Sequence, residues 1–218
     1  MRQIAVIGLS TFGTGLVRAL SQERCRVLAA DLDENKVNAV REYVDAAVIA
    51  DARDPRALEA LQLQDYDAVV LSLGEPLDTS LLAVLHLRDL KVRQIVARAV
   101  SEDHRRLLQL LGVEEVVFPE ADMAQRTAHT LANPNLLDTL QLGETVSLIE
   151  VAPSREIVGH TLAELNLRQR YHVTVVAIRD TLRDEVLVNP DPNVPITNSD
   201  ALIVLGKHEE VNRFVRRK

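Results

Sequence analysis

The sequence predicts an α/β chain: a doubly wound parallel sheet over residues 1–135, then a smaller α+β domain over residues 136–218. Three observations carry this. Short apolar runs alternate six times with stretches of helical periodicity through the first two thirds of the chain, the pattern of repeated βα units. The residues are 47% hydrophobic but only 3% aromatic, with no Trp, and an aliphatic core suits buried parallel strands under helices. From about Gly143 the rhythm changes to several strands with few helices between them.

The elements follow in order. QIAVIG leads to a helix with Phe12, Leu16, Val17 and Leu20 on one face. RVLAAD leads to ENKVNAVREY, and AAVIA to PRALEALQL, where Asp54 takes the N-cap position and Pro55 the first helical one. DAVVLSLG precedes PLDTSLLAVLHLRDL, QIVARAV precedes a helix capped by Ser101 and ended by Gly112, and EEVVF precedes EADMAQRTAHTLA, which Asn133 and Pro134 stop. In the second domain TVSLIEVA reads as a strand, TLAELNLRQRY as a helix, HVTVVAI, EVLVN and DALIVLG as strands, and HEEVNRFVRR as a closing helix. NPDPNVPITNSD, with its prolines, reads as a loop.

Charge narrows the partners. Lys and Arg number 25 against 32 Asp and Glu, a net charge of -7, which repels a phosphate backbone and excludes nucleic acid as the expected partner. Cys25 is the one cysteine, so no internal disulfide forms, and no basic-then-apolar leader precedes the first strand; a reducing, cytoplasmic location is expected. No apolar run approaches the roughly 18 residues a bilayer crossing needs, so direct membrane insertion is not expected.

The stretch VIGLSTFGTG carries the functional signal. In a dinucleotide-binding turn of the Rossmann-like kind, G-x-G-x-x-G, the first glycine makes the bend after the strand, the second lets backbone approach phosphate, and the third lets helix and strand pack closely. Gly8 and Gly13 hold the outer positions and Ser10 the middle one. Ser10 adds a Cβ at the point of closest approach, while its hydroxyl and that of Thr11 are potential donors to a phosphate oxygen. Asp31 ends the second strand, placed to accept hydrogen bonds from ribose hydroxyls and to repel a 2'-phosphorylated cofactor.

Other candidates fall at the carboxyl ends of strands, where ligands of open α/β sheets bind: Asp51, Ala52 and Arg53 after the third, Ser72 and Gly74 after the fourth, Arg98 at the fifth and Glu120 after the sixth. Taken singly, Asp51 also reads as a cap, Arg98 as a solvated charge and Glu120 as a first-turn acid. A dehydrogenase needs a general acid or base beside its nicotinamide, and no such group is evident. Tyr43, Tyr66 and Tyr171 lack a Lys four residues on, and the six histidines show no i, i+4 pairing and no Cys partners. A small NAD-dependent oxidoreductase is therefore the alternative, and a regulator without catalysis the expectation.

With both halves read, the chain resembles the cytoplasmic regulatory subunits of Ktr- and Trk-type potassium uptake systems, built from the RCK domain (regulator of K+ conductance). The resemblance rests on VIGLSTFG, LAADLDENKVNAV, VVFPEADMA and Arg98 in the first part, and on LAELNLRQRYHVTVVAIRD followed by DALIVLG in the second. Phe12 and PEADM are closer to the Ktr pattern, whose fingerprint is GLGRFG. Ser10 and Thr11 depart from it, standing where the family has Gly and Arg.

The resemblance implies an adenine nucleotide, ATP or ADP as in Ktr relatives first, and NAD or NADH as in Trk relatives second. It implies that Gly8 to Gly13, including Phe12, wrap the phosphates, that Asp31, Asp33 and Lys36 hold ribose, that Asp51 to Arg53 border adenine, and that Arg98 meets phosphate. Glu120 would seat a divalent cation, Mg or Ca. In some Ktr relatives the second domain binds cyclic di-AMP at a dimer interface, which makes Asn166, Arg168 and Arg170 the candidate contacts. The implied partners are a membrane potassium transporter or channel and further copies of the chain, as dimers in an octameric ring. The location implied is the inner face of the cell membrane, held there by the partner.

Overall fold

The computed structural model describes residues 1–143 and 145–216. The first part runs β1 (Arg2–Ile7), α1 (Thr11–Leu20), β2 (Cys25–Asp31), α2 (Glu34–Val40), β3 (Ala46–Ile49), α3 (Pro55–Ala60), β4 (Ala68–Leu71), α4 (Leu77–Asp89), β5 (Ile95–Arg98), α5 (Glu102–Leu110), β6 (Glu115–Val117) and α6 (Pro119–Ala132). The six strands form one parallel sheet in the order β3-β2-β1-β4-β5-β6. The order reverses between β1 and β4, and a crevice opens at the carboxyl ends of strands at such a switch point.

Alternation along the strands fills both faces. Ala5, Ile7, Val69 and Leu71 pack with Leu58, Ala83, Val84, Leu87 and Leu108 from α3, α4 and α5. Val6, Val27, Ala29 and Val70 point the other way, against Val17 of α1 and Val37 and Val40 of α2. Successive side chains of a strand face opposite sides, so a central strand is apolar throughout: Ala68 to Leu71 are all buried. The helix starts read from sequence are present. Asp54 caps α3 with Pro55 behind it, and Ser101 caps α5 by accepting from His104 N.

The second part comprises β7 (Leu136–Gln141), β8 (Val146–Val151), α7 (Leu162–Leu165), α8 (Leu167–Tyr171), β9 (Thr174–Asp180), β10 (Glu185–Val188), β11 (Asp200–Lys207) and α9 (His208–Val215). Its sheet is antiparallel, ordered β10-β9-β11-β8-β7. A single core gathers Ile149, Val151, Leu165, Leu167, Leu202, Val204, Val211 and Phe214, with Tyr171 meeting Phe214 edge to face at 5.5 Å.

Three features differ from the sequence expectation. LLDTLQ forms β7, a strand in a stretch that the sequence leaves unassigned between the stop at Asn133 and Pro134 and the strand TVSLIEVA; its apolar residues do not alternate, and only pairing with β8 makes it extended. TLAELNLRQRY is two short helices, because Asn166 sits in the left-handed region at φ 44 and ψ 45, which Asn tolerates at a helix end. Contacts divide the chain into Met1–Ala121 and Asp122–Lys218, whereas the sequence places the break after residue 135. Most of α6 therefore groups with the second unit, to which Arg126 ties it through a two-pronged pair with Asp138 at 2.8 and 2.6 Å.

Candidate functional site

The turn after β1 is built by its glycines. Gly8 has φ +90, and a Cβ there would lie 2.6 Å from the Ser72 carbonyl oxygen. A Cβ on Gly13 would lie 2.2 Å from the Gly8 carbonyl oxygen, so α1 can approach the turn this closely only as glycine. Ser10 needs no such freedom. It is the N-cap of α1 with extended backbone, φ -63 and ψ 177, its Oγ accepting from Gly13 N, and it shares a 2.6 Å hydrogen bond with the hydroxyl of buried Ser72 at the end of β4. The missing middle glycine is thus replaced by a cap that also staples β1 to β4.

Asp31 fixes the other wall. Its carboxylate accepts from Leu9 N at 2.6 Å and from Asp33 N at 2.9 Å, and Lys36 Nζ lies 3.8 Å away. Asp33 itself caps α2, accepting from Asn35 N. A carboxylate has about four acceptor positions, so Asp31 joins the turn to β2 and keeps acceptor capacity toward the crevice it lines.

That crevice, about 370 Å³, lies at the carboxyl ends of β1, β2, β3 and β4. Of the residues read from sequence it brings together Gly8, Ser10, Asp31, Lys36, Asp51, Ala52, Arg53, Ser72 and Gly74. Thr11, Phe12, Gly13 and Asp33 stand beside it in α1 and before α2 without lining it. Asp51 and Arg53 grip one another: Arg53 Nε donates at 3.0 Å to Oδ1 and Nη2 at 2.7 Å to Oδ2. This hydrogen bonding holds the Asp51 carboxyl below its ordinary value. The reading missed Glu75 and Thr79, which line the same crevice; their signal is position, since both follow the tip of β4.

Arg98 and Glu120 do not line the crevice. They pair with each other, and the Arg98 hydrogen bond holds the Glu120 carboxyl low. Arg98 Nε is buried without a hydrogen-bond partner among the described residues. Nearby, His104 is fully buried. Val100 N donates to its Nδ1, which leaves the proton on Nε2 to reach Ser80 Oγ at 2.7 Å. Burial pushes this imidazole down from the ordinary 6.5, and Arg98 adds to the shift; it is a neutral packing residue. Among the described residues no three His, Cys, Asp or Glu side chains gather as a metal-holding group, around Glu120 or elsewhere.

In the second unit Asn166 and Arg168 line a hollow of about 200 Å³, while the Arg170 guanidinium lies 5.5 Å from the Tyr171 ring centre. A larger cavity, about 560 Å³, is enclosed by α6, β7, β8 and α9. Its polar centre is a contact between Ser147 Oγ and His208 Nδ1. No helix among the described residues is long and apolar enough to cross a membrane.

The chain matches the TrkA-N domain over residues 4–119 and the TrkA-C domain over residues 146–218. It is 38% identical to Ktr system potassium uptake protein C of Bacillus subtilis, covering 99% of this chain and 97% of that protein. With Ktr system potassium uptake protein A of the same organism it shares 30% identity over 98% of this chain and 95% of that one. Among solved structures it is similar to the GsuK channel bound to NAD, with a TM-score of 0.67 at 17% identity. All of this chain aligns there with 40% of the channel chain, so it spans less than half of that protein and shares its fold. The chain accordingly belongs to the TrkA-domain family, in the branch of the Ktr potassium uptake proteins.

Proposed function

We propose that this chain is the nucleotide-binding regulatory subunit of a membrane potassium transporter or channel, a gate-setting protein without catalysis. The observation that carries the reading is the Asp31 carboxylate, tied to the turn through Leu9 N and lining a crevice at the switch point of the sheet. An adenine nucleotide fits this arrangement, with ATP or ADP first and NAD or NADH second. The ribose hydroxyls donate to Asp31 beside Lys36, and Asp51 to Arg53 border the base. The N–H groups of Ser10, Thr11 and Phe12, which have no partner among the described residues, face phosphate at the positive end of α1. Any divalent cation would arrive on the phosphates, coordinated mainly by them and by water.

Binding becomes regulation through differential affinity: a nucleotide that prefers one arrangement of subunits shifts the assembly toward it, and with it the pore. The relatives' role in potassium uptake supports this partner and a place at the cytoplasmic face of the cell membrane. Dimers through α6 and the second unit, joined in a ring of eight, are the assembly proposed. Asn166 and Arg168, with Arg170, are the proposed contacts for cyclic di-AMP in the second unit.

Calorimetric titration of the intact chain with ATP, ADP, NADH and cyclic di-AMP tests the reading. Asp31→Ala removes a charge-assisted acceptor worth about 1.5–3 kcal/mol per bond, so affinity should drop about tenfold to hundredfold. Unchanged affinity would move the site elsewhere, and oxidation of NADH with a small carbonyl compound would replace the regulator with an oxidoreductase.

A further inference from the structure

We infer that the crevice recognises its ligand by the adenosine half and gains nothing from the phosphates beyond the first; this rests on the adenine-nucleotide reading above. The charged side chains lining it are Asp31, Asp51 and Glu75 against Lys36 and Arg53. Carboxylates therefore outnumber cations. Both cations are also already matched: Lys36 Nζ stands 3.8 Å from Asp31, and Arg53 holds Asp51 with Nε and Nη2 together. A two-pronged guanidinium–carboxylate pair is among the stronger side-chain contacts, so the charge of Arg53 is already balanced by Asp51, and a phosphate meeting its remaining N–H groups would also meet that carboxylate. The next cation along the strand tips, Arg98, is engaged by Glu120 and does not line the crevice. Glu75 has no polar partner of its own among the described residues.

What remains for phosphate is neutral. The unpartnered N–H groups at the start of α1 suffice for one phosphate, while the Ser10 and Ser72 hydroxyls are occupied with each other. Every additional phosphate adds negative charge beside an excess of carboxylates, with no free cation to meet it. Adenosine is the opposite kind of group. Its ribose diol and its amino group are donors, and a crevice rich in carboxylate oxygens supplies acceptors.

The test titrates AMP, ADP, ATP and NAD into the full-length chain in buffer with EDTA, so that no metal carries the phosphates in. AMP should bind as tightly as ATP or tighter. ATP binding more than about threefold tighter than AMP overturns the inference and leaves the adenine-nucleotide reading standing. Flat titrations with all four overturn that reading itself, so the two failures are distinct. In Asp51→Asn the guanidinium of Arg53 is released, and the ratio of ATP to AMP affinity should rise about tenfold; an unchanged ratio overturns the role given to the Asp51–Arg53 pair.

Discussion

The two units bury their sheets differently. In the first, helices cover both faces of the parallel sheet, and the strands β1 and β4 at its centre are apolar through their inner residues. Polar groups at the strand tips are matched within the unit, Ser10 with Ser72, Asp31 with Leu9 N and Asp51 with Arg53. In the second, a single core lies on one side of an antiparallel sheet. All four residues of β10 are exposed, α6 has no buried residue, and Met123, Leu131, Leu140 and Val188 show more than half of their surface. Parallel sheets need cover on both faces, and antiparallel ones do not. Leu32, Ile49 and Leu110 of the first unit are also more than half exposed; what sets the second apart is β10, exposed along its whole length, and α6, without a buried residue, a reserve surface for the proposed assembly through α6.

The largest effect that tests this contrast is in the first unit. Gly13→Ala places a methyl group 2.2 Å from the Gly8 carbonyl oxygen, and neither backbone can yield without displacing α1. A loss of about 3 kcal/mol is expected in denaturant unfolding. Gly15→Ala, with nothing within 4 Å of its added Cβ, should instead gain up to about 1 kcal/mol of helix propensity. Equal effects of the two substitutions would mean that the close packing of α1 is not what makes the turn.

A smaller effect follows from His104. Its buried imidazole titrates below the ordinary 6.5, so below that pH the unfolded chain binds the proton first. Stability is full above about 6.5 and declines as pH falls toward the lowered value. Urea midpoints followed across this range should show the decline in the wild type and a flatter profile in His104→Gln, whose side chain does not titrate. A profile of unchanged slope would assign the decline to other groups.

The smallest effect on folding belongs to the reserve surface. Leu131 is 78% exposed, so Leu131→Ser should change the stability of the single chain by about 0.5 kcal/mol or less. Sedimentation at matched concentrations should nevertheless show weaker self-association; unaltered association would take α6 out of the assembly.

How much of this was legible depended on range. The six βα units, the Asp54–Pro55 and Ser101 starts and the outer glycines of the turn are local signals, carried by residues within a few positions of each other. β7 was not, since its Leu136 and Leu140 pair with β8 only through the antiparallel ladder. The break at Asn166 was hidden because the residues on both sides keep a helical pattern, and a left-handed residue is marked only by its backbone.

At the site, sequence alone determined which residues stand at strand ends, because the alternation of strand and helix fixes where each strand stops. It could say that Ser10 occupies a glycine position. Only the tertiary structure decided what that serine does, since its partner Ser72 lies on another strand, 62 residues away. It also decided that Arg53 is bound to Asp51 rather than free, that Glu75 joins the crevice, and that Arg98 faces Glu120. Side-chain pairing depends on distances between elements that the chain brings together only on folding, and no local pattern encodes those distances.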